Sequence, residues 1–302
     1  MTMQWTEISV YTTVMATEAI NNILVELGSD GAQIDRITPS GDQPLMNTRI
    51  IAYFPNTAKI DEIIPQLKQR IKELPEFGLD IDHTYVETKE VSDAKWGTEW
   101  ERYYEPQRIT HDITIVPSWK DYQPQSDREM QIRLDPGKAF GTGTHPTTQL
   151  AIQAMEVVMR GNETLLDVGT GSGILSIAAK LLGAKQVYAY DNDDIALVTA
   201  RKNISLNPVA KDVFVTPNNL LDNVNLRADI IVANMLAVVL EPLIPQAAKL
   251  LKPNGHLILA GLIQKQASHL KDIITANNLK VVEELIRDDW VGLIVKKTGA
   301  DE

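Results

Sequence analysis

The chain of 302 residues contains no cysteine. This absence excludes disulfide bonds, thiolate metal sites and a cysteine nucleophile, and it favours a reducing compartment such as the cytoplasm. The five histidines lack the paired spacing of a zinc site, so we expect no metal. No apolar run approaches the roughly 18 residues of a membrane helix, and the first residues lack the pattern of a secretory signal.

The sequence also lacks an excess of positive charge, since its net charge is −11. Such a balance argues against a broad nucleic-acid-binding face, which normally needs a basic stripe. Residues 1–90 hold 14 acidic and 7 basic side chains, against 26 and 22 in the rest of the chain. Two interpretations remain open: a solvated acidic surface, or a surface that attracts a basic partner.

Residues 1–90 predict a small α+β domain. Strand-like alternation and helical spacing follow one another as β-α-β-α-β, with one more strand in "GAQIDRITP", which is typical of a ferredoxin-like sandwich. The first helix has Thr17 as a candidate N-cap and Gly28 as its end. Pro65 lies inside the pattern of the second helix, so we expect a late start or a kink there.

Residues 91–135 predict a connector of one helix and two strands. The helix, in "DAKWGTEWERYYEP", holds two tryptophans and two tyrosines, which either pack between domains or face the substrate. Residues 136–302 then alternate strands and helices, which predicts a mostly parallel sheet of seven strands with helices on both faces. The last two strands predict a hairpin that places an antiparallel strand within the sheet.

"DVGTGSG" lies directly between an apolar strand and a helix. Gly169, Gly171 and Gly173 permit a tight turn and a close approach of the backbone to a ligand at the carboxyl end of the strand. The spacing is not the G-x-G-x-x-G of a dinucleotide site, and Asp167 precedes the first glycine. A carboxylate there suits a cationic ligand better than a pyrophosphate. S-Adenosylmethionine (SAM) is the favoured ligand, with a dinucleotide or an ordinary tight turn as alternatives.

Further candidate residues end the neighbouring strands. Asp191 closes "QVYAYD", where a carboxylate can accept hydrogen bonds from ribose hydroxyls, in either class of ligand. Asn234 closes "ADIIVAN", where its amide either caps the next helix or orients a methyl acceptor. The segment "LDPGKAFGTGTHPTTQL" is rich in Gly, Thr and Pro and contains Phe140 and His145. We expect it to close over a cofactor, with His145 a hydrogen-bonding spacer rather than a general base.

In order and spacing, "LDPGKAFGTGTHPTT", "LLDVGTGSGILSIAA", "YDND" and "VANML" resemble the PrmA family, bacterial methyltransferases of ribosomal protein L11. The "GTGTHPTT" segment is the most specific of these motifs. Thr170 and Met235 depart conservatively from the Cys and Ile that we expect in the family. The resemblance extends from "KWGTEWERYYEP" to the carboxyl end, whereas residues 1–90 match by size and element order more than by motif.

The resemblance implies a Rossmann-like catalytic domain that is joined by a linker to a small substrate-recognition domain. It implies methylation of lysine ε-amines and the N-terminal α-amine of L11, with SAM as cofactor and the free basic protein, not RNA, as the partner. By motif, the implied cofactor contacts are Thr148, Gly169, Asp191 and Asn234; Asp167, Gly171 and Phe140 are further candidates from the residues alone. A methyltransferase that acts on another protein or on RNA remains the main alternative.

Overall fold

A computed structural model of the chain describes residues 4–29, 32–37, 48–55, 58–92, 105–135, 143 and 145–297. The described residues up to Glu105 form one compact unit, and those from Pro106 onward form a second. The aromatic-rich helix expected in "DAKWGTEWERYYEP" lies outside the described residues except for its last two positions. In the part of the chain that the structure describes, every helix is too short or too polar to cross a bilayer.

The first unit is a four-stranded antiparallel sheet with two helices. Its strand order is β2-β3-β1-β4, which is that of the expected ferredoxin-like sandwich. The buried side chains of the two central strands include Ile8, Val10, Ile50 and Phe54. The elements are β1 (Gln4–Thr12), α1 (Thr17–Glu26), β2 (Ala32–Arg36), β3 (Thr48–Pro55), α2 (Ile60–Glu73) and β4 (Tyr85–Ser92).

Two local expectations for this unit were wrong. Thr17 is the first residue of α1 rather than its N-cap, and its hydroxyl donates to the carbonyl oxygen of Thr13. A short 3-10 turn, capped by Thr13, precedes the helix and takes the place of the expected start. Helix α2 begins at Ile60, so the expected late start is wrong; the alternative, a kink at Pro65 within the helix, stays a prediction. The predicted end of α1 is confirmed, since Gly28 follows it with a φ of 107°.

The second unit is built on a seven-stranded sheet in the order β10-β9-β8-β11-β12-β14-β13. The first five of these strands are parallel, and β14 is antiparallel to both of its neighbours. The predicted closing hairpin within the sheet is thereby confirmed. The strands are β8 (Thr164–Val168), β9 (Gln186–Asp191), β10 (Phe214–Pro217), β11 (Ala228–Asn234), β12 (Leu251–Ile263), β13 (Leu279–Arg287) and β14 (Trp290–Lys297).

Helices cover both faces of this sheet. One buried cluster joins the sheet to α3, α4 and α5, and a second joins it to α6 and α7. The doubly wound arrangement brings the carboxyl ends of β8, β9 and β11 to one edge, where the candidate site residues lie. The helices are α3 (Pro146–Val158), α4 (Ile174–Leu181), α5 (Asp194–Ser205), α6 (Ala237–Leu250) and α7 (Gln264–Ala276).

A second, smaller sheet precedes α3. Strands β6 (Ile113–Pro117) and β7 (Met130–Leu134) are the two expected strands of the connector, and they are parallel to each other. A short β5 (Gln107–Arg108) pairs with β6. Side chains of β6 and β7, among them Ile115 and Ile132, join the cluster formed by α3, α4 and α5. These connector strands therefore belong to the core of the second unit.

Candidate cofactor and methyl-transfer site

The glycine turn connects β8 to α4. Gly169, Gly171 and Gly173 have φ angles of 72°, 54° and 82°, in the left-handed region that side chains disfavour. A Cβ atom at Gly169 would lie 2.5 Å from the sulfur of Met235. The helix begins at Ile174, directly after the turn, with Gly173 as its N-cap. The predicted need for glycine at this turn is therefore confirmed by its geometry.

Backbone bonds fix the turn to the end of β9. The N–H groups of Gly169 and Thr170 both donate to the carbonyl oxygen of Tyr190, at 2.8 and 2.9 Å. The N–H of Gly171 donates to a carboxylate oxygen of Asp191 at 2.9 Å, and the other oxygen accepts from the N–H of Asp193 at 3.1 Å. Asp191 is half-buried, so its carboxylate binds the backbone of the turn and remains partly accessible at the carboxyl end of the sheet.

Asp167 lies in β8 and has no exposed surface. The hydroxyls of Thr170 and Ser176 donate to its Oδ2, each at 2.7 Å. Its Oδ1 is buried without a hydrogen-bond partner among the described residues. Burial raises the pKa of this carboxyl to about 6, against the opposing effect of the two hydroxyls. A buried anion with one unused oxygen is an acceptor for a cationic group.

Asn234 ends β11, the strand that pairs with β8. Its Nδ2 donates to the hydroxyl of Thr148 at 3.3 Å, and its Oδ1 is buried without a hydrogen-bond partner in the described part of the chain. Helix α6 has Leu236 at its N-cap and no side-chain capping bond. The capping interpretation of Asn234 is therefore wrong. The structure brings Asn234 and Thr148 together, and it leaves the amide oxygen available to a ligand.

His145 caps α3. Its Nδ1 accepts from the N–H of Thr147 at 3.3 Å and lies 2.8 Å from the hydroxyl of the same residue. The edge of its ring meets Trp290, with ring centroids 4.7 Å apart. Burial lowers the pKa of His145 to about 3, so the imidazole is neutral at pH 7. These contacts agree with a hydrogen-bonding role in the turn before α3.

Sequence reasoning missed several side-chain contacts at this end of the sheet. Thr170 and Ser176 hold the carboxylate of Asp167, and Met235 lies over Gly169. No spacing rule identifies which hydroxyl faces which carboxylate, although Thr170 and Ser176 flank the glycines that the motif singles out. Phe140, the remaining candidate, lies outside the described residues.

Acceptor groups predominate among the side chains at this edge. Two carboxylates and an amide oxygen end three neighbouring strands around a turn shaped for close approach, and two of these groups keep an unused buried oxygen. Such a donor-poor set disfavours a phosphate-bearing ligand and fits a ligand that carries a cation and ribose hydroxyls. Among the described residues, no group of three or more side chains could hold a metal ion.

A doubly wound sheet that carries a glycine turn, two carboxylates and an amide oxygen at its carboxyl end defines a Rossmann-like methyltransferase. Residues 4–298 match the sequence model of the ribosomal protein L11 methyltransferase (PrmA) family. The chain belongs to this family. It is 44% identical over 319 residues to a ribosomal protein L11 methyltransferase of Levilactobacillus brevis and 47% identical over 316 residues to that of Pediococcus pentosaceus; both alignments cover 99% of this chain and all of the relative.

A solved structure supports the same assignment. The crystal structure of a ribosomal protein L11 methylase from Lactobacillus delbrueckii subsp. bulgaricus is similar, with a TM-score of 0.62 and 39% sequence identity. The match covers 65% of this chain and all of that chain.

Proposed function

We propose that this protein transfers methyl groups from SAM to the lysine side chains and the N-terminal amine of ribosomal protein L11. Family membership and the names of the curated relatives support the reaction and the substrate. The observation that carries the proposal at the site is the unused amide oxygen of Asn234, buried at the carboxyl edge beside the glycine turn.

Each polar residue of the edge has a role toward the cofactor. The carboxylate of Asp191 accepts hydrogen bonds from the ribose hydroxyls, and the free oxygen of Asp167 faces the ammonium group. Gly169 and Gly171 let the backbone approach the ligand, and Thr148 contacts it beside Asn234. SAM supplies an activated methyl group on its sulfonium, so the protein mainly binds and orients the reactants.

The acceptor amine has to be neutral before it can attack a methyl group. For an unperturbed lysine with a pKa near 10.4, deprotonation at pH 7 costs about 4–5 kcal/mol. A second cation beside a bound sulfonium is disfavoured, which lowers this cost without a dedicated base. The amide oxygen of Asn234 accepts a hydrogen bond from the acceptor amine and thereby orients the lone pair of that amine. The amide nitrogen of Asn234 donates to the hydroxyl of Thr148, which fixes the side chain.

The direct test is methyl transfer from labelled SAM to purified L11, followed by mapping of the labelled amines. Asn234→Ala should reduce single-turnover methylation at saturating SAM by about 10-fold or more, because orientation matters most in the transition state. Asn225→Ala, at an exposed position, is the control. Labelling of another protein or of RNA in a ribosomal extract, with L11 unlabelled, would assign the chain to a different substrate.

We further propose that residues 1–90 form the docking domain and 136–302 the catalytic domain, with 91–135 as a connector whose strands β6 and β7 pack into the core of the second unit. The excess of acidic side chains in residues 1–90 supports attraction of a basic protein.

We propose that the partner is free L11 in the cytoplasm, before ribosome assembly and without extensive contact to nucleic acid. The KM for L11 should rise with salt while the SAM affinity changes little, because screening acts on exposed charges. Faster methylation of L11 within assembled large subunits than of free L11 would contradict this proposal.

A further inference from the structure

Asn203 connects the glycine turn to a distant segment of the chain. It lies in α5, and its side chain is completely buried. Its Nδ2 donates to the carbonyl oxygen of Ser172 at 2.9 Å, and its Oδ1 accepts from the backbone N–H of Asp135 at 2.8 Å. Ser172 lies within the glycine turn and Asp135 directly follows β7. One amide therefore holds two backbone segments together.

The bond to Ser172 fixes one particular peptide group of the turn. The carbonyl of Ser172 and the N–H of Gly173 belong to the same peptide plane. That N–H donates to the carbonyl oxygen of Thr170 at 2.9 Å, while the carbonyl accepts from Asn203. The plane is thereby held at both ends. Glycines on either side of Ser172 give this plane more freedom than other residues would, so a fixed orientation depends on such bonds.

Helix α5 also packs against the turn through its backbone. A Cβ atom at Gly173 would lie 3.2 Å from the Cα of Ala200, one turn before Asn203. A side chain at Gly173 would fit only if the helix or the turn moved by a few tenths of an ångström. Asn203 therefore adds a directional hydrogen bond to this close packing between the helix and the turn.

Asn207 provides a natural comparison, two residues beyond the end of the same helix. It lies four residues after Asn203, is buried, and exchanges two hydrogen bonds with the backbone of Arg133, at 2.9 and 2.7 Å. It also donates to the carbonyl oxygen of Asn203 at 2.7 Å. Both amides anchor the end of β7 to α5. Within the described part of the chain, the side chain of Asn207 makes no hydrogen bond to the glycine turn, whereas that of Asn203 does.

We infer that Asn203 is a positioning residue for the cofactor: it preorganises the glycine turn by fixing the Ser172–Gly173 peptide, without contacting the ligand. The inference rests on the proposed function for the identity of the ligand. A turn that is already ordered binds without a further ordering cost, so loss of this bond should appear mainly in SAM affinity. Chemistry in the saturated complex should change much less, because Asp191, Asp167 and Asn234 keep their own contacts.

The experiment compares Asn203→Ala with Asn207→Ala by calorimetric titration with SAM, thermal unfolding and steady-state methylation. Both variants lose a buried amide and should lower the unfolding temperature. We expect Asn203→Ala to raise the SAM Kd by about 5- to 30-fold, the equivalent of one or two net hydrogen bonds, with Asn207→Ala within about twofold of wild type. The KM for SAM of the Asn203 variant should rise with its Kd, while kcat stays within about threefold.

Asn203→Asp isolates the bond to the turn. The carboxylate retains an acceptor for the N–H of Asp135 but presents an oxygen to the carbonyl of Ser172, so SAM binding should weaken at least as much as in Asn203→Ala. If Asn203→Ala or Asn203→Asp does not fold, Asn203→Ser takes its place, because the serine hydroxyl can still donate. Its SAM Kd should lie between that of wild type and that of the Asn203 variant that folds.

The binding assay distinguishes failure of the inference from failure of the proposed function. Folded Asn203 variants that bind SAM as wild type does, with only a lower unfolding temperature, would show that Asn203 is structural alone and overturn the inference. Equal losses of SAM affinity in the Asn203 and Asn207 variants would also overturn it, because anchoring of β7 would then be the cause. Failure of the wild-type protein to bind SAM would instead refute the proposed function and the inference with it.

Discussion

Replacement of Asp167 by asparagine should separate the stability of the ligand-free protein from its affinity for SAM. The carboxyl is wholly buried, and its pKa is raised from 3.8 to about 6. A difference of roughly 2 pKa units means that keeping this carboxylate ionised costs the folded protein about 3 kcal/mol at pH 7. Asparagine removes the charge, and its amide oxygen can still accept from Thr170 and Ser176.

The gain in stability is reduced by the new amide group. Its NH₂ would take the position of the buried Oδ1, which has no partner among the described residues, at a cost of about 1–3 kcal/mol. The ligand-free variant should therefore be as stable as wild type or up to about 2 kcal/mol more stable, which is roughly 0–8 °C in Tm. SAM affinity should fall by about 10-fold or more, because a charge-assisted bond to the ammonium group is lost.

The pH dependence has a definite sign. Because the pKa of Asp167 is higher in the folded than in the unfolded chain, the folded protein binds more protons between about pH 4 and pH 6. This residue's contribution to the free energy of unfolding therefore falls as pH rises through that window, and the variant lacks this fall. Thermal unfolding across the window, with and without SAM, measures both effects. A variant that is clearly less stable than wild type at neutral pH, yet binds SAM normally, would refute the reasoning.

The remaining predictions concern the same edge of the sheet. Asp191→Ala should weaken SAM binding by about 1.5–3 kcal/mol for each charge-assisted hydrogen bond lost, measured by calorimetry, and unchanged affinity would remove Asp191 from the site. Gly169→Ala should weaken SAM binding strongly, because its φ of 72° disfavours a side chain and the Cβ would lie 2.5 Å from the Met235 sulfur. Adding Met235→Ala should restore part of the loss; a double variant that binds no better than Gly169→Ala would exclude the steric cause.

The fold, and the meeting of the candidate site residues at one end of the sheet, were predictable because the ends of parallel strands lie together. In a parallel sheet the carboxyl ends meet at one edge, so the polar residues that close apolar strands must lie near one another. This rule alone brings Asp191 and Asn234 to the glycine turn, and the structure places both at strand ends. Alternation of the last two segments likewise predicted the hairpin.

Contacts between side chains distant in sequence were not predictable in this way. Periodicity reports which face of an element is buried, but not the partner of a buried polar atom. The burial of Asp167 against Ser176 and the bonds of Asn203 to Ser172 and Asp135 depend on how α4, α5 and β7 pack together. The two wrong helix starts in the first unit have a more local cause. A 3-10 turn takes the place of the expected start of α1, and α2 includes Pro65 although proline disfavours a helix interior, so the packing of its apolar face outweighs the local preference.

The position of β14 has a consequence for how the protein is made. Strand β13 leaves the ribosome before the strand that separates it from β12 in the finished sheet. Until β14 is synthesised, the outer edge of β12 presents unpaired backbone groups, and β13 has no strand to join. The nascent second unit therefore passes through a stage in which the outer side of β12 is open to wrong pairing, either with β13 itself or with another chain. Chaperone demand and aggregation during expression should thus depend on the hairpin turn at Asp288 and Asp289, far from the methyl-transfer site in sequence.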